Sequence, residues 1–269
     1  MNFTTKKSAI ALRGIDVQAI SNQDLLNKEI RNIGFEYSEI SPHPSHFRIK
    51  EKPENWNELP VLFVDLDNTL YSKRLAISDQ MRDRISLYFQ EYLGLPQEES
   101  QELGTRFFRD YGLAIKGLIS NFNIDPIEYD KFVDGGLDLD KLIRPEEALT
   151  RLFSRCRARL WIFTNAGLYH AKRVLKLIGL YDYFEGIVYC NYSEPNFPSK
   201  PERMAYERAM IVAEVDASEN TYFVDDSATN IKSSRDLGWN SILIDEDGDS
   251  KASIRRIHDL ELIFPEIFE

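Results

Sequence analysis

Cysteine is nearly missing from this sequence: Cys156 and Cys190 are the two in 269 residues. Two thiols cannot staple a small secreted domain, and neither has a neighbour at metal-ligand spacing. The expected setting is reducing, hence intracellular, in the cytoplasm or also the nucleus. Histidine is scarce as well. His43, His46, His170 and His258 do not cluster, and they are read as surface residues rather than ligands, with His170, just past Asn165, the one near the edge where the strands end. No apolar run approaches the roughly 20 residues needed to span a bilayer, so no membrane partner is expected. Positive charge is in deficit, with 33 basic against 44 acidic residues and a formal net charge of −11. Binders of nucleic-acid polymers carry basic surfaces, so that class is excluded, whereas one small phosphorylated ligand held by local cations is not. Repeats and low-complexity tracts are also absent. The first residues carry Lys6, Lys7 and Arg13 before any acid, a charge bias like that of a transit peptide. They lack the apolar core of a secretory signal and are read as a plain terminal segment. What remains is 43% hydrophobic and 12% aromatic, enough for one large domain or a core with an insertion. Nothing in it sets the oligomeric state.

The chain is organised around residues 61–71. Val61 to Val64 are an apolar, largely β-branched run of the kind that forms a buried strand, and the run stops at Asp65 and Asp67. Side chains at i and i+2 share one face of a strand, so past its end both acids can turn toward one point. Two anions there need a cation or a shared proton, and a hard cation such as Mg2+ takes oxygen ligands. Thr69 adds a hydroxyl beside them. An acidic turn after a strand is the plainer alternative for this stretch alone.

Before that strand, Ser21 is placed to cap a short helix through Ile33, closed by Gly34, and residues 41–60 hold Pro42, Pro44, Pro53 and Pro60. Residues 1–60 are therefore expected to be an arm and linker packing on the core. After Tyr71 the pattern turns helical. Ile77, Met81, Ile85, Tyr88, Phe89 and Tyr92 recur at helical spacing up to Gly94. A second stretch, 97–122, is interrupted by Gly104, Gly112 and Gly117, and Pro126 opens a third. Residues 76–140 are expected to form a helical insertion, with a helix at 145–155 returning the chain to the core. Strands are then expected at 160–163, 187–189, 221–224 and 241–244, alternating with helices at 168–179, 201–213 and 227–237. The second of these carries Pro201 at its first turn. Such alternation predicts an α/β fold with an open, mostly parallel sheet, which binds ligands beyond the carboxyl ends of its strands. The core is thus assigned to 61–75 and 141–269.

Three strands end in polar groups, at Asp65 and Asp67, at Thr164 and Asn165, and at Asp225 and Asp226. A parallel sheet puts these ends on one edge, and Lys200, just before a helix, falls near it. Acids for a metal, a hydroxyl and an amide for a phosphate, and one ammonium are what phosphoryl transfer needs. Each residue alone has a plainer reading. Thr164 or Asn165 could cap the following helix, as could Asp225 and Asp226, and Lys200 could be a solvated lysine.

Together, residues 65–69, Thr164-Asn165, Lys200-Pro201 and Asp225-Asp226-Ser227 resemble, in order, the four motifs of the haloacid dehalogenase (HAD) superfamily. More narrowly, residues 65–71, Tyr111-Gly112-Leu113 with Lys116-Gly117-Leu118, and Tyr189-Cys190-Asn191-Tyr192 resemble the fungal pyrimidine 5′-nucleotidases, among which a lysophosphatidate phosphatase also belongs. The resemblance implies a Rossmann-like HAD core and an all-helical C1-type cap. It implies that Asp65 forms an aspartyl phosphate and that Asp67, with a pKa raised by burial and by Asp65, serves as acid and then base. It further implies Mg2+ on Asp65, the main-chain carbonyl of Asp67, Asp225 and Asp226. Thr164 and the main-chain N–H of Asn165 would hold the phosphate, and Lys200 would neutralise nucleophile and phosphate. The implied substrate is a nucleoside monophosphate. Tyr111 and Lys116 are its candidate contacts in the cap, and Phe107, Phe108 and Tyr111 are either cap core or a surface on which a base stacks. Alternatives stay open: a phosphatase for lysophosphatidate or sugar phosphates, or a catalytically silent binding protein on the same fold. A dehalogenase needs no acid where Asp67 stands.

Overall fold

The computed structural model describes residues 45–268, apart from 52, 195, 216 and 249–251. The expected helix from Ser21 to Ile33 and the packing of residues 1–44 fall outside these. The described chain forms two compact units, one of residues 76–137 with 192–196, the other of the remaining described residues.

The larger unit holds a seven-stranded sheet in the order β1-β4-β3-β2-β5-β6-β7. Its strands are β1 (His46–Arg48), β2 (Val61–Val64), β3 (Arg159–Phe163), β4 (Gly186–Val188), β5 (Thr221–Asp225), β6 (Asn240–Ile244) and β7 (Ser253–Ile254). Every neighbouring pair is parallel except β1 with β4. The all-apolar β2 is fully buried and takes the centre, as a strand covered on both faces must. Val64 lies opposite Ile162 of β3 and Val224 of β5. The ladder runs one residue further, because the Asp65 N–H donates to the Val224 carbonyl at 3.0 Å. The ends of β2, β3 and β5 therefore adjoin.

An aromatic layer supports this junction from one side. Phe63 stacks on Trp239 at 5.1 Å, and Phe163 meets Tyr206 edge-on at 5.2 Å. Each such ring contributes about 2–3 kcal/mol by leaving water. Tyr206 belongs to helix Arg203–Ala213, so the layer also anchors the segment after Lys200. That helix starts two residues later than expected, and Pro201 lies in the preceding loop after a cis peptide bond.

Both sheet edges differ from expectation. Part of the supposed linker is β1, which pairs with β4 through His46 opposite Val188 and Arg48 opposite Gly186. Arg48 and Arg159 share the buried Glu185 carboxylate, with Arg159 at 2.8 and 2.9 Å. β4 runs over 186–188 instead of 187–189, and just past its end the N–H of Tyr189 bonds the Ser45 carbonyl at 2.9 Å. The two-residue β7 extends the other edge.

The smaller unit is helical, with α1 (Ile77–Leu93), α2 (Gln97–Tyr111), α3 (Ala114–Asn121) and α4 (Pro126–Val133). Gly112, at φ 78°, breaks the stretch expected to run from 97 to 122, because a left-handed turn favours glycine. Gly104 and Gly117 stay inside helices. Tyr88, Phe89, Phe107, Tyr129 and Phe132 form the interior, with Tyr88 stacked on Tyr92 at 4.3 Å. Phe107 is thus core, whereas Phe108 is 65% exposed. The unit ends at Leu137, not at 140. The following turn, α5 (Leu139–Leu142), counts with the sheet, to which Arg173 ties Asp140 at 3.2 Å.

Candidate active site

Asp65 caps the central strand and is 7% exposed. One carboxylate oxygen accepts from Lys200 Nζ at 2.7 Å, the other from the Thr69 hydroxyl at 2.8 Å. Thr69 reaches back because the chain turns at once after the strand, with Leu70 N–H bonded to the Leu66 carbonyl and Asn68 in the left-handed region.

Lys200 is 2% exposed and spends all three donors inside the protein. Besides Asp65 it bonds the Phe163 carbonyl and Asp225 Oδ2, each at 2.6 Å. The loop carrying it is clamped by Asn165, whose side chain donates to the Lys200 carbonyl and accepts from the Lys200 N–H, both at 2.8 Å. Burial alone would lower the lysine pKa, but the two carboxylates outweigh it and hold the ammonium charged well above its usual range.

Asp225 ends β5, fully buried. It accepts from the Ser227 N–H at 2.7 Å and from Asn230 Nδ2 at 3.0 and 3.1 Å. The helix cap here is Ser227, not either aspartate. Likewise Gly167, not Thr164 or Asn165, stands at the N-cap of the helix after β3 (Leu168–Ile178). The Thr164 hydroxyl, 2% exposed as a residue, accepts from the Ala166 N–H at 3.0 Å and keeps its own proton to donate. Neither helix-capping alternative holds.

Asp65, Asp225 and Asp226 each turn one carboxylate oxygen to a common point, the three within 4.8 Å of one another. Burial, followed by the nearby Asp225 and Asp226 charges, raises Asp65 well above the usual carboxylate range despite Lys200. Lost hydration and the Asp225 charge push Asp226 up to about 6. Three acids against one ammonium leave two negative charges, which one divalent cation neutralises. An all-oxygen donor set of this kind suits Mg2+.

Asp67 corrects two expectations. Burial does press its pKa upward, but His170 and the Tyr71 hydroxyl outweigh burial, and Asp67 lies below its ordinary value rather than above it. His170, taken for a surface residue, is fully buried, with Nε2 at 2.6 Å from Asp67 Oδ1. His46 and His258 are half-buried, and His43 lies outside the described residues. Three contributors were thus missed: His170, Tyr71 and Asn230. The available signal for His170 was its place on the first turn of the helix after Asn165. Tyr71 follows Thr69 by two residues, and Asn230 lies one turn past Asp226.

The structure therefore brings Asp65, Asp67, Thr164, Asn165, Lys200, Asp225 and Asp226 to one edge of the sheet. Tyr111 and Lys116 belong to the helical unit. There Tyr111 packs edge-on against Phe107 and accepts from Asn121 at 3.0 Å, while Lys116 is half-buried in α3.

A family model described as haloacid dehalogenase-like hydrolase matches residues 59–238. Phosphate metabolism protein 8 of Saccharomyces cerevisiae (strain ATCC 204508 / S288c) is 33% identical over 194 residues, covering 68% of this chain. The match spans 60% of the length of that relative. The crystal structure of a HAD phosphatase from Thermococcus onnurineus superposes with a TM-score of 0.52 at 20% identity, over 77% of this chain and 98% of that one. At that identity the likeness speaks for the fold alone.

Proposed function

For a chain that belongs to the haloacid dehalogenase-like hydrolase family, we propose a magnesium-dependent phosphomonoesterase whose substrate is a nucleoside 5′-monophosphate, pyrimidine for preference. The observation that carries the reaction class is Asp65. It is a buried carboxylate at the end of the central strand, oriented by Lys200 and Thr69 beside a second pair of acids. The nucleotide preference is supported by the sequence resemblance described above.

Asp65 attacks phosphorus as the ester P–O bond breaks, giving an aspartyl phosphate that splits one hard displacement into two easier ones. Asp67 protonates the departing oxygen, then takes a proton from the water that hydrolyses the intermediate. The depressed pKa of Asp67 in the free protein does not forbid this. A phosphate dianion brought beside it disfavours the carboxylate and returns the proton. Thr164 and the Asn165 main-chain N–H hold phosphoryl oxygens, and Lys200 offsets charge on nucleophile and phosphate together. Mg2+, held by Asp65, Asp225, Asp226 and the main-chain carbonyl of Asp67, would supply further charge neutralisation at the phosphoryl group. Work in the cytoplasm or nucleus is part of this reading, supported by the low cysteine content of the sequence.

Hydrolysis of p-nitrophenyl phosphate in Mg2+ tests the reaction class. Asp65→Asn and a chelator should each abolish turnover, and activity surviving either refutes the mechanism. A panel of uridine, cytidine, adenosine and guanosine monophosphates against glycerol and sugar phosphates tests the substrate. Faster turnover of the non-nucleotides would reject the nucleotidase while leaving the chemistry standing.

A further inference from the structure

Asp67 is held unsymmetrically. The Tyr71 hydroxyl and His170 Nε2 both meet the same oxygen, Oδ1. They come from different elements, the loop after β2 and the helix after β3. Among the described residues no hydrogen bond is made to Oδ2. The His170 side chain is fully enclosed, whereas that of Asp67 is a quarter exposed. His170 Nδ1 is buried without a partner. Nε2 faces a carboxylate oxygen, so it carries a proton and donates to Oδ1 in either charge state of the ring.

A carboxyl group turns freely about its Cβ–Cγ bond, because that torsion is broad and two-fold. Two donors converging on one oxygen remove the freedom. They also decide where a proton can sit. On Oδ1 it would face an N–H and an O–H at hydrogen-bond distance, whereas on Oδ2 it faces the open side. The geometry points to His170 and Tyr71 as positioning residues that fix the Asp67 carboxyl through Oδ1 and so make Oδ2 the oxygen that exchanges protons with leaving group and water.

This rests on the acid–base role proposed above for Asp67. In the first step the P–O ester bond breaks, the Asp65–phosphorus bond forms, and the Oδ2 proton goes to the departing alkoxide, leaving Asp67 ionised. In the second, water attacks phosphorus and gives its proton to Oδ2. The Asp65–phosphorus bond breaks, and inorganic phosphate leaves with Asp67 protonated again. Oδ1 accepts the same two hydrogen bonds throughout, so neither half-reaction needs the donors to move.

The test compares leaving groups by rapid mixing, using the full chain in Mg2+. p-Nitrophenolate departs without a proton, whereas an alkyl alcohol needs one. Positioned general acids contribute about 10²–10⁴-fold, so His170→Ala and Tyr71→Phe should each slow first-turnover release of an alkyl alcohol at least about tenfold more than release of nitrophenolate. His170→Gln, which can still offer an N–H toward Oδ1, should recover part of the difference. Tyr71→Phe removes one oxygen and serves if His170→Ala fails to fold. Equal losses on the two esters would overturn the inference, since general damage spares neither. Asp67→Asn separates the levels. If it shows the leaving-group difference and the other two do not, the positioning role alone fails. If Asp67→Asn also loses equally on both, the acid role fails and this inference with it.

Discussion

Replacing Lys200 by methionine removes one ammonium and strands two acids. Nζ lies 2.7 Å from Asp65 and 2.6 Å from Asp225, and the Lys200 and Asp225 side chains are each 1% exposed. Methionine fills much of the volume, so the perturbation is electrostatic. Breaking a buried pair by deleting one partner costs about 3–5 kcal/mol. A second route gives the same size. The stranded acids can avoid like-charge repulsion if one of them takes up a proton. Keeping neutral at pH 7 a group that ionises at about 3.9 in the unfolded chain costs about 4 kcal/mol. With a urea m-value near 3 kcal/mol/M, that lowers the unfolding midpoint in chelator by about 1.3 M. The pH dependence follows from linkage. Asp65 already binds its proton more tightly folded than unfolded, and losing the ammonium raises its pKa further, so stability falls more steeply in the variant as pH rises past the wild-type value toward the variant's. The deficit against wild type should therefore shrink as pH is lowered from 8 to 5, by up to about 1.4 kcal/mol per unit for one proton. Mg2+ should restore part of it at pH 8. A deficit under about 1 kcal/mol, or one unchanged between pH 5 and 8, would show that the ammonium is not what offsets these acids.

Two further outcomes follow from other parts of the molecule. Because Asp226 is raised to about 6, protons compete with a cation for the acidic cluster, so Mg2+ affinity measured by calorimetry should weaken as pH falls from 7.5 to 5.5, with proton release growing over the same range. An affinity flat across that span would place the cation elsewhere. A Cβ on Gly186 would sit 2.4 Å from the Trp161 ring and 2.7 Å from the Phe47 carbonyl. Gly186→Ala should then cost about 1–3 kcal/mol in urea unfolding by overpacking, and a neutral result would mean that β1 moves aside freely.

Parts of this protein are written in short stretches of chain. Residues 61–64 announce a buried strand by four consecutive apolar side chains, and Asp65 marks its end by composition alone. Gly94 and Gly238 close helices at φ 65° and 83°, because a left-handed residue at that point favours glycine. The alternation after residue 155 implies a parallel sheet, and a parallel sheet brings strand ends to one edge. The order of Asp65, Thr164, Lys200 and Asp225 along the chain is thus enough to suggest their meeting.

Other parts exist only through distant partners. The His46–Arg48 strand sits among prolines and has no pattern of its own. It forms because β4 offers an open edge and Glu185 anchors Arg48, 137 residues away. His170 reads as an ordinary helical histidine until the sheet twist and helix rotation put its ring on Asp67, 103 residues earlier. The same contact reverses the pKa shift that burial alone would give Asp67. Local periodicity and turn chemistry depend on neighbours a few residues apart, so the sequence determines them directly. Which oxygen of a carboxylate is bound, and which way its proton balance tips, depends on ångström distances between segments that only the completed fold sets.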